Sequence, residues 1–167
     1  MVSGNKEYVI FFHWSLEVIL ITAGFTIVLL ALLLPMLKSD APSQILKYSH
    51  ALLLVSIIMS GLFISPLYLK INSEKIQIRK PLASVEIPIE RIVAIKKVNI
   101  DEISNAFRTF GSGGFFGYVG YFRNDKYGKF LMYSTEKKNL VHIQTEDKSY
   151  IVSCRRPELL VSMLKQT

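Results

Sequence analysis

Two long apolar segments without a charged residue lie in the first half of the chain, and they restrict its fold more than any other feature. The first, Val18 to Leu37, has twenty residues, and the second, Ala51 to Leu69, has nineteen. Because an α-helix rises about 1.5 Å per residue, each segment can cross the roughly 30 Å hydrocarbon core of a bilayer. The sequence therefore predicts a hairpin of two transmembrane helices, at about residues 14–37 and 51–69.

A cleaved signal peptide is the alternative interpretation of the first segment. Lys6 precedes it, and the small residues Ser39 and Ala41 follow it at a spacing that suits cleavage. The apolar run is longer than the roughly 7–15 residues of a signal sequence, and a second spanning run follows. These two features favour a permanent membrane anchor.

Lysine and arginine residues near the ends of the two runs predict the orientation of the hairpin. Four follow the second run, two lie between the runs and one precedes the first: Lys70, Lys75, Arg79 and Lys80, then Lys38 and Lys47, then Lys6. Positive residues concentrate on cytoplasmic flanks. We therefore expect a multi-pass protein with both termini in the cytoplasm.

The remaining charge lies in the C-terminal part. Residues 70–167 contain seventeen Lys and Arg against ten Asp and Glu, which accounts for the whole net charge of +7. A basic domain beside an anionic leaflet is attracted to it. The charges alternate in sign and form no basic stripe, so we expect no nucleic-acid partner. The single cysteine, Cys154, excludes a disulfide within the chain.

Beyond Pro66 the hydrophobic period changes to the alternation that is typical of β-strands. Six or seven short strands are predicted between Tyr68 and Cys154, and an amphipathic helix follows from Pro157. Antiparallel strands closed by one helix suggest a bent sheet or a small barrel. The predicted domains are a membrane anchor over residues 1–69 and a cytoplasmic domain over residues 70–167.

The segment "RTFGSGGFFGYVGYFRN", residues 108–124, holds five of the nine glycines of the chain among six aromatic residues. It lacks the Gly-Lys-Ser/Thr of a phosphate loop and the helix that must follow a dinucleotide fingerprint. One interpretation is a bent hairpin whose aromatic side chains pack on the barrel, because glycine permits positive φ and close approach of strands. The other is a surface for a lipid, ligand or partner, in which exposed aromatic residues enter the headgroup layer and the two arginines grip an anionic group. Its candidate residues are Arg108, Gly111, Gly113, Gly114, Phe115, Phe116, Gly117, Tyr118 and Arg123.

Candidates for catalysis and metal binding are sparse. His142 and Cys154 have no base that the sequence orients towards them, and His13, His50 and His142 lack the spacing of metal ligands. Glu17 lies at the border of the first span, where it can reach headgroup water. We expect no enzyme activity, no cofactor and no metal.

The glycine-aromatic run and the segment after it, together with "IPIERI" upstream and "PELLVSML" at the end, resemble the bacterial PH-domain proteins that carry a two-helix N-terminal anchor. The resemblance covers about residues 66–165. It implies an α+β membrane protein in which a transmembrane helix hairpin precedes a PH-like antiparallel β-barrel or sandwich that is capped by a C-terminal helix. It also implies a location in the bacterial cytoplasmic (inner) membrane.

Two functional hypotheses follow. The first is a non-enzymatic, membrane-anchored interaction or scaffold module at the cytoplasmic face of the membrane. Its partners would be membrane lipids and either another membrane or cytoplasmic protein or further copies of the chain. The second is an oligomeric transport or sensing component that is built on the helix hairpin, with Glu17 in the interface.

Overall fold

The structure, a computed structural model, describes residues 7–38 and 44–165. The helices and strands follow one another as β1 (Tyr8–Phe11), α1 (Leu16–Lys38), α2 (Gln44–Ile64), β2 (Tyr68–Ile71), β3 (Lys75–Arg79), β4 (Ser84–Pro88), β5 (Ile92–Val98), β6 (Phe107–Gly114), β7 (Gly117–Asn124), β8 (Gly128–Ser134), β9 (Leu140–Thr145), β10 (Ser149–Ser153) and α3 (Pro157–Lys165). Short 3₁₀ turns lie at Ile89–Arg91 and Ile100–Glu102.

The two N-terminal helices are long and apolar enough to cross a membrane, which suggests membrane association. Most of their large apolar side chains are exposed, unlike those of a core helix in a soluble protein. α1 lies close to its predicted bounds. α2 begins seven residues before the predicted start, because a polar residue such as Lys47 or His50 can continue a helix beyond an apolar run. It ends at Ile64, just before Pro66, because proline disfavours helical backbone in the residue before it. Tyr68 and Leu69, predicted as the end of this span, belong to β2 instead.

Two sheets form a sandwich-like fold after the helices, in agreement with the predicted fold class. The first sheet has the antiparallel order β1-β2-β3-β4, and the second has the order β5-β9-β10-β8-β7-β6. The pair β8–β10 is parallel, whereas the other pairs of the second sheet are antiparallel. β1 was not expected from the sequence. It pairs with β2 and so joins the segment before α1 to the first sheet.

Apolar side chains bury both faces of the second sheet. One cluster fills the space between the sheets, with Ile76 and Ile78 of the first sheet against Ile143 and Val152 of the second, and Leu160 of α3 closes it. The other cluster covers the opposite face and includes Val18 of α1, which is fully buried. The first turn of α1 is therefore packed on the β-structure.

Candidate functional site

The glycine-aromatic segment forms a hairpin in which β6 and β7 are joined by the two residues Phe115 and Phe116. The glycines lie in pairs across the strands, Gly111 opposite Gly120 and Gly114 opposite Gly117. These four residues have φ between 112° and 135°, a region that side chains with a Cβ rarely adopt. The glycine spacing thus serves the backbone geometry of the hairpin.

The facing strands leave no room for a side chain at Gly111 and Gly120. A Cβ on Gly111 would overlap the carbonyl oxygen of Val119, and a Cβ on Gly120 would overlap that of Phe110. Backbone atoms cannot move aside as the end of a flexible side chain can. This pair therefore requires glycine for two reasons, its φ values and its lack of space.

Gly113 has a different role from the other glycines. Its φ is not positive, and a Cβ at this position would lie 3.3 Å from Nη1 of Arg108. The guanidinium group of Arg108 therefore lies along the strand over Gly113, towards the tip of the hairpin. The missing side chain leaves room for that arginine.

The tip of the hairpin packs on both apolar helices. The backbone N–H of Phe116 donates a hydrogen bond of 2.9 Å to Oγ1 of Thr22 in α1, and this hydroxyl donates a longer one, of 3.5 Å, to the carbonyl of Gly114. On α2, Gly61 faces the rings of Phe115 and Phe116 so closely that a Cβ would overlap them. The turn is thus bonded to one helix and fitted to the other.

Aromatic contacts complete this docking. Phe115 packs edge-on against Phe25, with ring centroids 4.9 Å apart, and Phe116 packs edge-on against Trp14 at 5.8 Å. Phe116 has a φ of 57°, which is uncommon for a bulky residue. Contacts with the helices and the bond to Thr22 offset the cost of this conformation.

The structure separates the predicted site residues into groups. Arg108 is opposite Phe122 and Arg123 is opposite Phe107. Because adjacent residues of a strand point to opposite faces, the two arginines lie on opposite faces of the hairpin and do not converge on one group. Phe116 and Tyr118 are buried. Arg108 and Tyr118 lie on the face of the hairpin that points towards α1 and packs on the cluster around Val18. We call this the α1 face.

Three exposed aromatic side chains lie on the other face of the hairpin, and the sequence did not distinguish them from their neighbours. Phe107, Phe110 and Tyr121 are 58%, 75% and 52% exposed. We call them the aromatic patch. Phe107 and Phe110 belong to β6, an edge strand of the second sheet, and Phe110 is directly opposite Tyr121. The strand alternation and the sheet order together, once known, distinguish this patch from the buried aromatics.

A polar cluster joins the first turn of α1 to the segment after β8. Glu17 pairs with Lys137 at 2.5 Å, and the Lys137 ammonium lies over the ring of Tyr118. The carboxylate of Glu17 raises the pKa of Lys137, and burial raises the pKa of Tyr118. The Tyr118 hydroxyl is near both groups, but it is within hydrogen-bond geometry of no described residue. Glu17 is therefore engaged with the β-structure.

The two residues considered for catalysis are buried and are not activated. Burial raises the pKa of the Cys154 thiol, the opposite of what a nucleophile requires. His142 Nε2 lies 2.7 Å from the Ser149 hydroxyl, and its Nδ1 has no partner in the part of the chain that the structure describes. The described residues contain no group of three or more side chains that could hold a metal.

His142 is expected to make the fold less stable in mild acid. Burial, helped by the charge of Lys96, lowers its pKa to about 4, against about 6.5 in an unfolded chain. Between these values the unfolded state binds the extra proton, so stability falls as the pH falls from about 6.5 towards 4. Thermal unfolding of the full chain at pH 7 and pH 5 should show a drop of a few degrees that is smaller in His142→Gln. An equal drop in the variant would assign the effect to other groups.

Comparison with known families identifies a match over the C-terminal part of the chain. Residues 67–167 match a family model described as bacterial PH domain, which is more than half of the chain. No curated protein and no solved structure matches the chain significantly.

Proposed function

The chain belongs to the bacterial PH-domain family, and from this premise we propose that it is a non-enzymatic, membrane-anchored interaction module. In this proposal α1 and α2 cross the bacterial inner membrane, and the sandwich lies at its cytoplasmic face. We divide the chain into an anchor, residues 1–69, and a cytoplasmic domain, residues 70–167. The anchor segment also supplies β1 to the first sheet of the domain.

The docking of the hairpin tip on both helices carries this proposal. A domain that is merely tethered would need only a flexible linker. Here the tip contacts Thr22 and Gly61, and the ion pair of Glu17 with Lys137 adds a second attachment. These contacts would hold the sandwich in one orientation against the membrane, which is useful to a protein that presents a surface to a partner.

The aromatic patch is the surface that we propose for the partner. Exposed aromatic residues are enriched where proteins bind each other, and an edge strand offers unpaired backbone groups. Arg123 lies on the same face as Phe107 and Tyr121, so the patch also has a cation that can pair across an interface. We propose that this partner is another protein rather than a small molecule.

The absence of activated groups at His142 and Cys154 supports a binding role over a catalytic one. PH domains are in general non-catalytic interaction modules. The rival hypothesis, an oligomeric transport or sensing component, needs Glu17 in an interface between helices. Its pairing with Lys137 favours the interaction module instead.

Affinity purification of the full chain in mild detergent tests the proposed function. We expect a protein partner at a constant ratio to the wild-type chain, and we expect Phe110→Ser to remove it. Leu82→Ser is the matched control, because Leu82 is equally exposed, at 74%, but lies in the β3–β4 turn. A partner retained by Phe110→Ser would refute the patch. A closed homo-oligomer that conducts ions in liposomes would favour the rival.

The proposed orientation predicts a labelling pattern in intact cells. A membrane-impermeant thiol reagent should modify Ser43→Cys, between the two helices, and spare Leu82→Cys until the membrane is permeabilised. The native Cys154 is buried and should add little background. Labelling of Leu82→Cys in intact cells, with Ser43→Cys spared, would reverse the orientation.

A further inference from the structure

We propose that a groove on the α1 face of the hairpin binds an anionic phospholipid of the bilayer, with the lipid phosphate on Arg108. The proposal rests on the membrane anchoring proposed above. The groove and the aromatic patch lie on opposite faces of the hairpin. Neither the lipid nor the groove is needed for the protein partner to bind.

The groove is open and has a volume of about 540 Å³, and it lies between the segment at residues 100–106 and strands β6 to β8. Its floor is apolar, with Ile103, Ala106, Phe122 and Met132 among the lining residues. Such a floor can contact a hydrocarbon chain, but it offers no polar contact to a small hydrated anion.

Two cations line the same groove, and one of them is not neutralised. Lys137 is paired with Glu17, so together these two groups are neutral. Arg108 makes no ion pair with any residue in the ranges 7–38 and 44–165, and the lack of a side chain at Gly113 lets its guanidinium extend along the strand. The groove thus has a net positive charge and a planar donor that matches a phosphate.

The buried Tyr118 hydroxyl is a further polar group in the lining of the groove. Arg108 and Lys137 line the same groove, and the hydroxyl is buried without a hydrogen-bond partner of good geometry among the described residues. Buried polar groups are rarely left unpaired. A rotation of the hydroxyl towards an anion held by Arg108 would satisfy it.

The place of the groove in the fold indicates which anion is available. Tyr118 and Lys137 lie beside Glu17, in the first turn of α1, where the helix would enter the membrane. Phospholipid headgroups are concentrated at this level, and each carries a phosphate next to an acyl chain. An anion with an attached apolar part fits both the cation and the floor, whereas free phosphate fits only the cation.

Native mass spectrometry of the full chain tests the site. The protein is reconstituted in phosphatidylcholine nanodiscs that contain a minor fraction of phosphatidylglycerol, and it is then released in mild detergent. We expect one retained phosphatidylglycerol, and we expect Arg108→Gln to weaken its retention about tenfold, as for the loss of a charge-assisted hydrogen bond. Arg123→Gln removes the same charge from the opposite face and should leave retention unchanged.

A second variant tests the apolar floor without changing the charge. Ser104 is exposed on the rim of the groove, so Ser104→Phe should fold normally and obstruct the acyl chain. It should also reduce retention of the lipid, and thermal unfolding checks that each variant is folded.

Three results would overturn the proposal. The first is an equal loss of lipid retention in Arg108→Gln and Arg123→Gln, because it would indicate diffuse attraction. The second is full displacement of the lipid by inorganic phosphate. The third is the absence of retained lipid in the wild-type protein. Failure of the lipid site leaves the partner test with Phe110→Ser unaffected, so the two proposals fail separately.

Discussion

Alanine at Gly111 or at Gly120 is expected to lower the thermal unfolding midpoint of the full chain by roughly 5–10 °C. Each residue has a φ that a Cβ-bearing residue disfavours, at a cost of about 1–3 kcal/mol, and each Cβ would also overlap a carbonyl of the facing strand. For a chain of this size 1 kcal/mol corresponds to about 2–4 °C. The measurement is thermal unfolding in detergent, followed by circular dichroism.

Gly113→Ala is the matched control for this experiment. It adds the same methyl group to the same hairpin, but its φ is not positive and its nearest neighbour is the flexible end of Arg108. We expect a shift of no more than about 2 °C, as for a substitution that introduces no strain. If Gly111→Ala and Gly113→Ala had equal effects, the close approach of the strands would not be what requires glycine.

The regular spacing of the glycines carried real information about the fold, because φ is a local property. Gly114, Gly117 and Gly120 are three residues apart, and all have positive φ. The same local logic predicted six or seven of the nine strands that follow Pro66 and the C-terminal helix, whereas it left open whether the glycine segment forms the hairpin of β6 and β7. It could not predict β1, because the four residues of this strand are too few for an alternating apolar pattern to distinguish a strand from a linker.

The positions of the aromatic and arginine side chains depended on contacts that are distant in the sequence. Phe116 is buried because Thr22, 94 residues away, holds the turn on α1. Arg108 and Arg123 looked like a pair in the sequence, but the register of the hairpin and a bulge between Arg108 and Phe110 decide which face each one occupies. A shift by one residue would have exchanged those faces.

The docking of the turn on α2 gives the other large expected effect. Gly61→Leu should speed hydrogen exchange at the Phe116 amide about tenfold to a hundredfold, because a side chain at Gly61 occupies the space of the Phe115 and Phe116 rings. Overpacking of this kind costs about 1–3 kcal/mol, and each 1.4 kcal/mol is a factor of about ten in the opening equilibrium. Exchange measured by mass spectrometry on a peptide that spans the turn reports this opening.

Gly24→Leu makes the same change on α1 where a Cβ would meet nothing within 4 Å, so it should leave exchange at the turn unchanged. Both substitutions replace a helical glycine by leucine and add similar apolar surface, but only the side chain at Gly61 would meet the hairpin. Faster exchange in both variants would mean that the helix pair itself had been altered. Unchanged exchange in both would mean that α2 does not hold the tip, and that Thr22 of α1 alone fixes the domain on its anchor.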